Sequence, residues 1–391
     1  MNLPNPLDIP EGIQPKRILS DKGIKQAIDF GLIKTTPAFD YNADTKRIQP
    51  ATLDVKAREI DEIETIDDEN IIWNNNAPKD KIVLKAGSIS SVNLTEFVEF
   101  NNFYGHPFFI SPTTEARSSL RVLGCFIPDH GIYFFSGPKY SQIELGNFSQ
   151  NDIIIPKEER IAQILFHVNP FADRNFNIPE NKNLTELGEK ARSLDMGVEV
   201  WGEHLKTLEK TGDLKVSPKL SIDDSVFVVH AGNVAYRMKK IEKGIDFSKR
   251  NDYTKDMLWE PIDISNGYTI KPFEHVMIET VEKFELSNKV GIRFWDNLSY
   301  DEIKKRCNSF SNPKDVDILI KNTKLMWLTD GWVDPGYIGS FSRQPKWMTE
   351  RKIYPGDIVG YGQVFYFPNG TGKSYGDSSL GSQHQNKEKR F

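Results

Sequence analysis

The chain has 391 residues, 38% of them hydrophobic and 27% charged, which argues against disorder and suits two domains better than one core. A formal net charge of -5 and a pI near 5.9 argue against the broad basic face of a nucleic-acid binder, leaving at most a local cationic pocket. The two cysteines, Cys125 and Cys307, lie far apart, so neither a disulfide framework nor a Cys-based zinc site is expected. The opening MNLPNPLDIPEGIQPKR lacks an apolar leader core, and no later stretch reads as long enough to span a bilayer. The expectation is a cytoplasmic protein with neither a membrane nor a nucleic-acid partner.

Residues 1–17 read as a polar, Pro-rich arm. ILSDKGIKQAIDFGLI then gives a short amphipathic helix, with Ser20 as N-cap, Ile24, Ala27 and Ile28 on one face, and Gly31 as its stop. IQPATLDVKA (48–57) reads as a strand with Leu53 and Val55 on one side and Thr52 and Asp54 on the other. Residues 61–80, acidic and Asn-rich, read as a solvated loop. Strand, turn and strand follow in 81–100, with Gly87 at the turn.

Two patterns then recur. LKAGSISSVNLTEFVEF in the first half lies over IKPFEHVMIETVEKFEL in the second, matching turn, alternation and a T-x-x-x-E-F echo. IIIPKEERIAQILFHV (153–168) pairs with RKIYPGDIVGYGQVFYF (351–367), each carrying a glutamine, Gln163 or Gln363, before its closing apolar run. Two echoes in one order imply a tandem duplication. NLTELGEKARSLDMGVEVWGEHLKTLEKTG (183–212) reads as helical in composition, so the boundary is expected near residue 215, giving domains 1–215 and 216–391. From Asn369 onward the chain is Gly-, Ser- and Lys-rich and is expected to be mobile until something binds it.

The residues suited to chemistry cluster in 117–147. Arg117 offers a fixed guanidinium fork beside the hydroxyls of Ser118 and Ser119, a combination that fits a phosphate. Glu144 is a lone carboxylate in an alternating apolar strand, where a rigid element would hold a proton-transfer group in place. DPGYIG (334–339) is a glycine-rich turn whose backbone can approach a flat ligand, with Tyr337 to cover a ring face. NGTGKS (369–374) lacks the first glycine of a phosphate-binding P-loop. The 7 histidines, among them His130, His204, His230 and His275, are not at metal-ligand spacing, and no H-x-E with P-C-x-x-C signature occurs, so no zinc is expected.

Taken in order, ILSDKGIKQAI, IQPATLDV, ARSSL, QIELGN and IAQILF, then IKPFEHVMIETVEKFEL, DPGYIG, YPGDIVGYGQVFYF and the tail YGDSSLGSQHQ resemble the dCTP deaminase and dUTPase superfamily, closest to its two-domain deaminases. The resemblance implies a mainly β chain of two tandem dUTPase-like distorted jelly-roll (β-clip) domains with a few short helices. It also implies a trimer-type homo-oligomer and Mg²⁺ bound with the nucleotide triphosphate. Carried over, Glu144 is the general base and Ser118 places the water. Arg117, Ser119 and Arg121 hold phosphate, with Arg121 one position before the family's second arginine, where Val122 stands. Asp334, Gly336, Tyr337 and Gly339 form the base- and sugar-reading loop, and Gln363, Tyr375 and Gln385 complete the nucleotide site. The motifs are split: FFSGPK (134–139) replaces the base-reading loop in the first half. RFWDNL (293–298) and Gln344 replace the RSS turn and the glutamate in the second. The implied reaction is deamination of dCTP to dUTP, with dUTP hydrolysis to dUMP, or nucleotide binding without turnover, as alternatives.

Overall fold

The computed structural model describes residues 16–40, 46–67, 70–74, 81–100, 108–127, 133–134, 141–170, 193–200, 202–218, 227–272, 274–295, 326–327, 331–344, 346–347 and 350–377. The chain begins with β1 (Arg17–Leu19) and α1 (Asp21–Asp29), whose N-cap Ser20 accepts from the Gly23 N–H as the sequence implies. Then come β2 (Ile33–Thr36), β3 (Leu53–Asp67), β4 (Ile82–Leu84), β5 (Ser88–Leu94), β6 (Phe97–Phe100) and β7 (Phe108–Ala116). The RSS segment forms the one-turn helix α2 (Ser118–Val122), and β8 (Ser141–Asn147), β9 (Ile153–Ile155) and β10 (Arg160–Pro170) follow. The acidic stretch expected to be a loop is strand as far as Asp67, which pairs back through residues 70–74. The strand is defined by its pairing with residues 70–74 on one side and with β5 on the other, which the charged local sequence does not signal.

The second copy starts at β11 (Met196–Val200) and α3 (Glu203–Thr211). It continues through β12 (Leu214–Ser217), β13 (Phe227–Met238), β14 (Tyr268–Ile270), β15 (Val276–Leu286), β16 (Val290–Trp295), β17 (Gly331–Val333), β18 (Ile338–Arg343), β19 (Arg351–Ile353) and β20 (Ile358–Tyr366). The antiparallel pairings repeat. In the first copy β10 lies between β3 and β7, β5 pairs with β3 and β8, and β4 pairs with β9. In the second β20 lies between β13 and β16, β15 pairs with β13 and β18, and β14 pairs with β19. Residue 215 therefore falls inside the second copy, on β12, which pairs with β15 just as β2 pairs with β6. The polar composition of 183–212 hides the strand at its centre.

Register makes the correspondence residue by residue. Phe97 opposes Thr36 and Lys283 opposes Ser217, as the alignment of the two echoes requires. At a shared bulge the Lys56 N–H donates to buried Glu96, and the His230 N–H donates to buried Glu282. Lys56 opposes Arg160 and His230 opposes Ile358, so counting on from there Gln163 matches Tyr361. The two glutamines of the second echo are not counterparts. Ser91 opposes Glu144, while in the second copy Ile278 opposes Arg343; one step on, Gln344 takes the place of Glu144.

The copies interlock. Strand β1 pairs with both β10 and β11, and β11 pairs with β20. Met238, Ile245, Phe247, Leu258 and Trp259 pack into the first hydrophobic core, and residues 245–246 pair in parallel with β9. A small third core of Ile18, Ala51, Leu165, Trp332, Phe365 and Phe367 draws on both copies and forms the seam between them.

Candidate active site

Among the described residues, a concentration of buried charge lies beside this seam. Asp54 on β3 stands on the side of the strand opposite Leu53 and Val55 and is 1% exposed, so both sides of this strand are buried. Arg160 on β10 reaches its Oδ2 at 3.0 Å, and the Arg117 Nε stands 3.6 Å from the same oxygen. The Arg47 Nε donates to the Asp54 carbonyl at 2.9 Å, while its Nη1 pairs with Glu96 at 2.6 Å. Burial is the largest influence on Asp54 and raises its pKa despite these arginines. Its Oδ1 has no hydrogen-bond partner among the described residues.

Two positions before Arg117, Glu115 closes β7 and points into the seam. Its Oε2 accepts from the Gln163 amide at 3.2 Å and from the backbone N–H of Trp332, in the other copy, at 3.0 Å. Its Oε1 lies 3.5 Å from Nε of Arg293, which is equally buried. The Arg293 Nη1 donates to the Nε2 of His167 at 2.9 Å, and burial followed by Arg293 holds that imidazole neutral, well below its usual pKa. Asp334 follows directly after β17. Burial pushes its carboxyl up to about 7; the Trp332 indole N–H, donating at 2.9 Å, opposes the shift, Asp54 and Glu115 add to it, and Arg117 opposes it. Asp54, Glu115 and Arg117 of the first copy and Asp334 of the second thus form one electrostatic cluster.

The RSS turn is held from the same side. A Cβ on Gly331 would fall 2.7 Å from the Arg121 Nη1, so that guanidinium lies across bare backbone of the second copy. The His275 ring donates from Nε2 to the Val122 carbonyl at 2.9 Å, fixing the end of α2. Ser118 and Ser119 lie half-buried in α2, and Glu144 lies half-buried on β8 opposite Ser91.

Other expected residues pack against parts of this chain. Tyr337 belongs to the second core, stacked on Phe341 at 5.0 Å, with its hydroxyl donating to the Ser340 carbonyl at 2.7 Å. The glycines of its loop admit parts of this chain. At Gly336, with φ +88°, a Cβ would meet the Ser374 Oγ at 1.8 Å; at Gly339 it would meet the Tyr337 hydroxyl at 2.7 Å. Gln363 is buried, and its amide donates to Glu199. Tyr375 sits edge-on against Tyr337, centroids 5.5 Å apart. Residues 369–377, expected to be mobile, are tied down. The Gly372 N–H donates to Asp21 at 2.7 Å, the Lys22 Nζ to the Gly370 carbonyl at 3.1 Å, and the Tyr375 N–H to the Pro335 carbonyl at 2.7 Å. Gln385 lies outside the described residues.

Sequence reasoning missed Asp54, Glu115, Arg160, Trp332 and Arg293. For the four charged residues the available signal was charge of both signs on apolar strands, which burial turns into paired ions. Among the described residues, no group of three or more His, Cys, Asp or Glu is placed to hold a metal, and no helix is long and apolar enough to cross a membrane.

No protein-family model matches the chain, and no curated protein matches it in sequence. The fold is mainly β, consistent with a dUTPase-like jelly roll. A solved structure that it resembles is the 2'-deoxycytidine 5'-triphosphate deaminase from Agrobacterium tumefaciens, with a TM-score of 0.62 at 14% identity, over 92% of this chain and 100% of that one.

Proposed function

We propose that the chain is a deaminase-like hydrolase of pyrimidine deoxynucleotides, acting on dCTP in the cytoplasm at a site assembled from both copies. The observation that carries this reading is that Arg117, 3.6 Å from buried Asp54 in the first copy, also acts electrostatically on buried Asp334 of the second, although each copy holds only part of the motif set. Arg117, Ser119 and Arg121 bind the triphosphate. Magnesium arrives with the substrate, since such ions are commonly held by phosphates and one or two carboxylates rather than by a protein cage. Glu144 takes a proton from water placed by Ser118, the oxygen bonds to C4 of cytosine, and the proton passes to the departing ammonia, giving dUTP. The Asp334 carboxyl and the backbone of its loop contact the base and sugar, with Tyr337 packed against the loop. Further subunits of a homo-oligomer add walls to the site.

A second reading, a dUTP diphosphatase, is favoured by Asp334 itself, whose carboxyl near 7 suits a base at neutral pH, while Gln344 cannot accept a proton. Incubation of the full chain with Mg²⁺ and dCTP or dUTP, followed by chromatography, separates the readings. Ammonia and dUTP from dCTP support deamination, whereas dUMP and pyrophosphate from dUTP support the second reading. Binding without products rejects both. Glu144→Gln is expected to lower deamination by a factor of about 100 or more while sparing dCTP binding, as removal of a general base does. Full activity in that variant removes Glu144 from the role.

A further inference from the structure

Trp332 stands where the seam between the copies touches the charged cluster, and its two N–H groups serve different partners. The backbone N–H donates to Glu115 of the first copy at 3.0 Å, and the indole Nε1–H donates to Asp334 Oδ1 at 2.9 Å. The ring has little freedom. A Cβ on Gly291 would meet Cζ2 at 2.6 Å, so that glycine admits the indole face. Phe365 and Phe367 pack on it with centroids 5.7 and 6.5 Å away, and the whole residue is 5% exposed. A ring wedged in this way aims a fixed donor at one carboxylate oxygen, and such a donor favours the ionised form of its acceptor.

We propose that Trp332 is a positioning residue whose indole N–H fixes the orientation of Asp334 and stabilises its carboxylate, linking the protonation of the site to the docking of the two copies. The proposal rests on the assignment of Asp334 to the site, but not on which nucleotide is turned over. Asp54 from β3, Glu115 from β7 and Arg117 at the start of α2 are the charged groups that act on Asp334 from the first copy, and all remain in place when only the indole is altered.

The test follows the intact protein by NMR from pH 5 to 9. In the parent, the Trp332 indole resonance is expected to titrate with the same midpoint as the Asp334 carboxyl, and in Asp334→Asn that titration disappears. In Trp332→Phe, which keeps an aromatic ring in the seam, the Asp334 midpoint is expected to rise by about one pH unit, the size of one charge-assisted hydrogen bond. A purely structural role would lower the unfolding midpoint and leave the carboxyl where it was. An indole resonance insensitive to Asp334 in the parent, or an unchanged midpoint in Trp332→Phe, overturns the proposal. Should that variant fail to fold, the comparison of the parent with Asp334→Asn decides alone. Absence of nucleotide turnover with the coupled titration intact rejects the functional reading and retains the positioning role.

Discussion

At Asp334 burial outweighs the indole N–H and Arg117, and the carboxyl titrates near 7 rather than at its ordinary 3.8. Between those values the folded chain binds a proton that the unfolded chain has released, so stability falls as pH rises through that window. The shift of about three pH units corresponds to roughly 4 kcal/mol at most. Asp334→Asn should therefore gain stability relative to the parent by up to about that amount between pH 4 and pH 8, read from urea unfolding at each pH. A constant difference across that range contradicts the assignment. His167 works in the opposite direction: its pKa is lowered in the fold, so the stability it supplies is present above about 6.5, its unfolded value, and is lost as pH falls. The residue scale is also where sequence reading was weakest. The resemblance assigns Tyr337 and Gly339 to a nucleotide-reading loop, and in the fold the atom nearest to a Cβ at Gly339 is the Tyr337 hydroxyl. A turn motif states that something comes near, and only packing states what.

At the scale of elements, the segment 369–377 closes over the Asp334 loop instead of hanging free, and Gly336 is the point that allows it. Gly336→Ala adds both left-handed strain and a clash with Ser374. Gly87→Ala adds strain alone, because its Cβ would meet nothing within 4 Å. The strain is worth about 1 kcal/mol in either variant. Limited proteolysis should cut the 369–377 segment faster in Gly336→Ala than in Gly87→Ala or the parent. Equal cutting in all three would mean that Gly336 does not seat the segment. Helix α1 and the paired echoes were legible in advance because cap, period and turn are local signals. The strand running to Asp67 was not, since its charge density reads as a solvated loop while its pairing partner is non-local.

At the scale of the molecule, one pairing scheme occurs twice and the two halves share a seam. The repeated pairing was foreshadowed by the two sequence echoes, because register carries alternation and turn spacing in both halves. The meeting of Arg117 with Asp334 was not readable, since nothing local encodes how β1, β10, β11 and β20 dock. The seam carries a buried ion pair, Glu115 with Arg293, each 1% exposed. Glu115→Ala deprives Arg293 of this carboxylate and should cost about 3–5 kcal/mol in chemical denaturation. A loss below about 1 kcal/mol would show that the pair does not hold the copies together. The central claim, one site built from both copies, is tested most directly by ammonia release from dCTP in Arg117→Ala, Asp334→Asn and the double variant. If the two residues act as a unit, each single change lowers kcat/KM by about 100-fold or more, and the double falls no further than the worse single. Losses that multiply, or an Asp334→Asn variant as active as the parent, would contradict it.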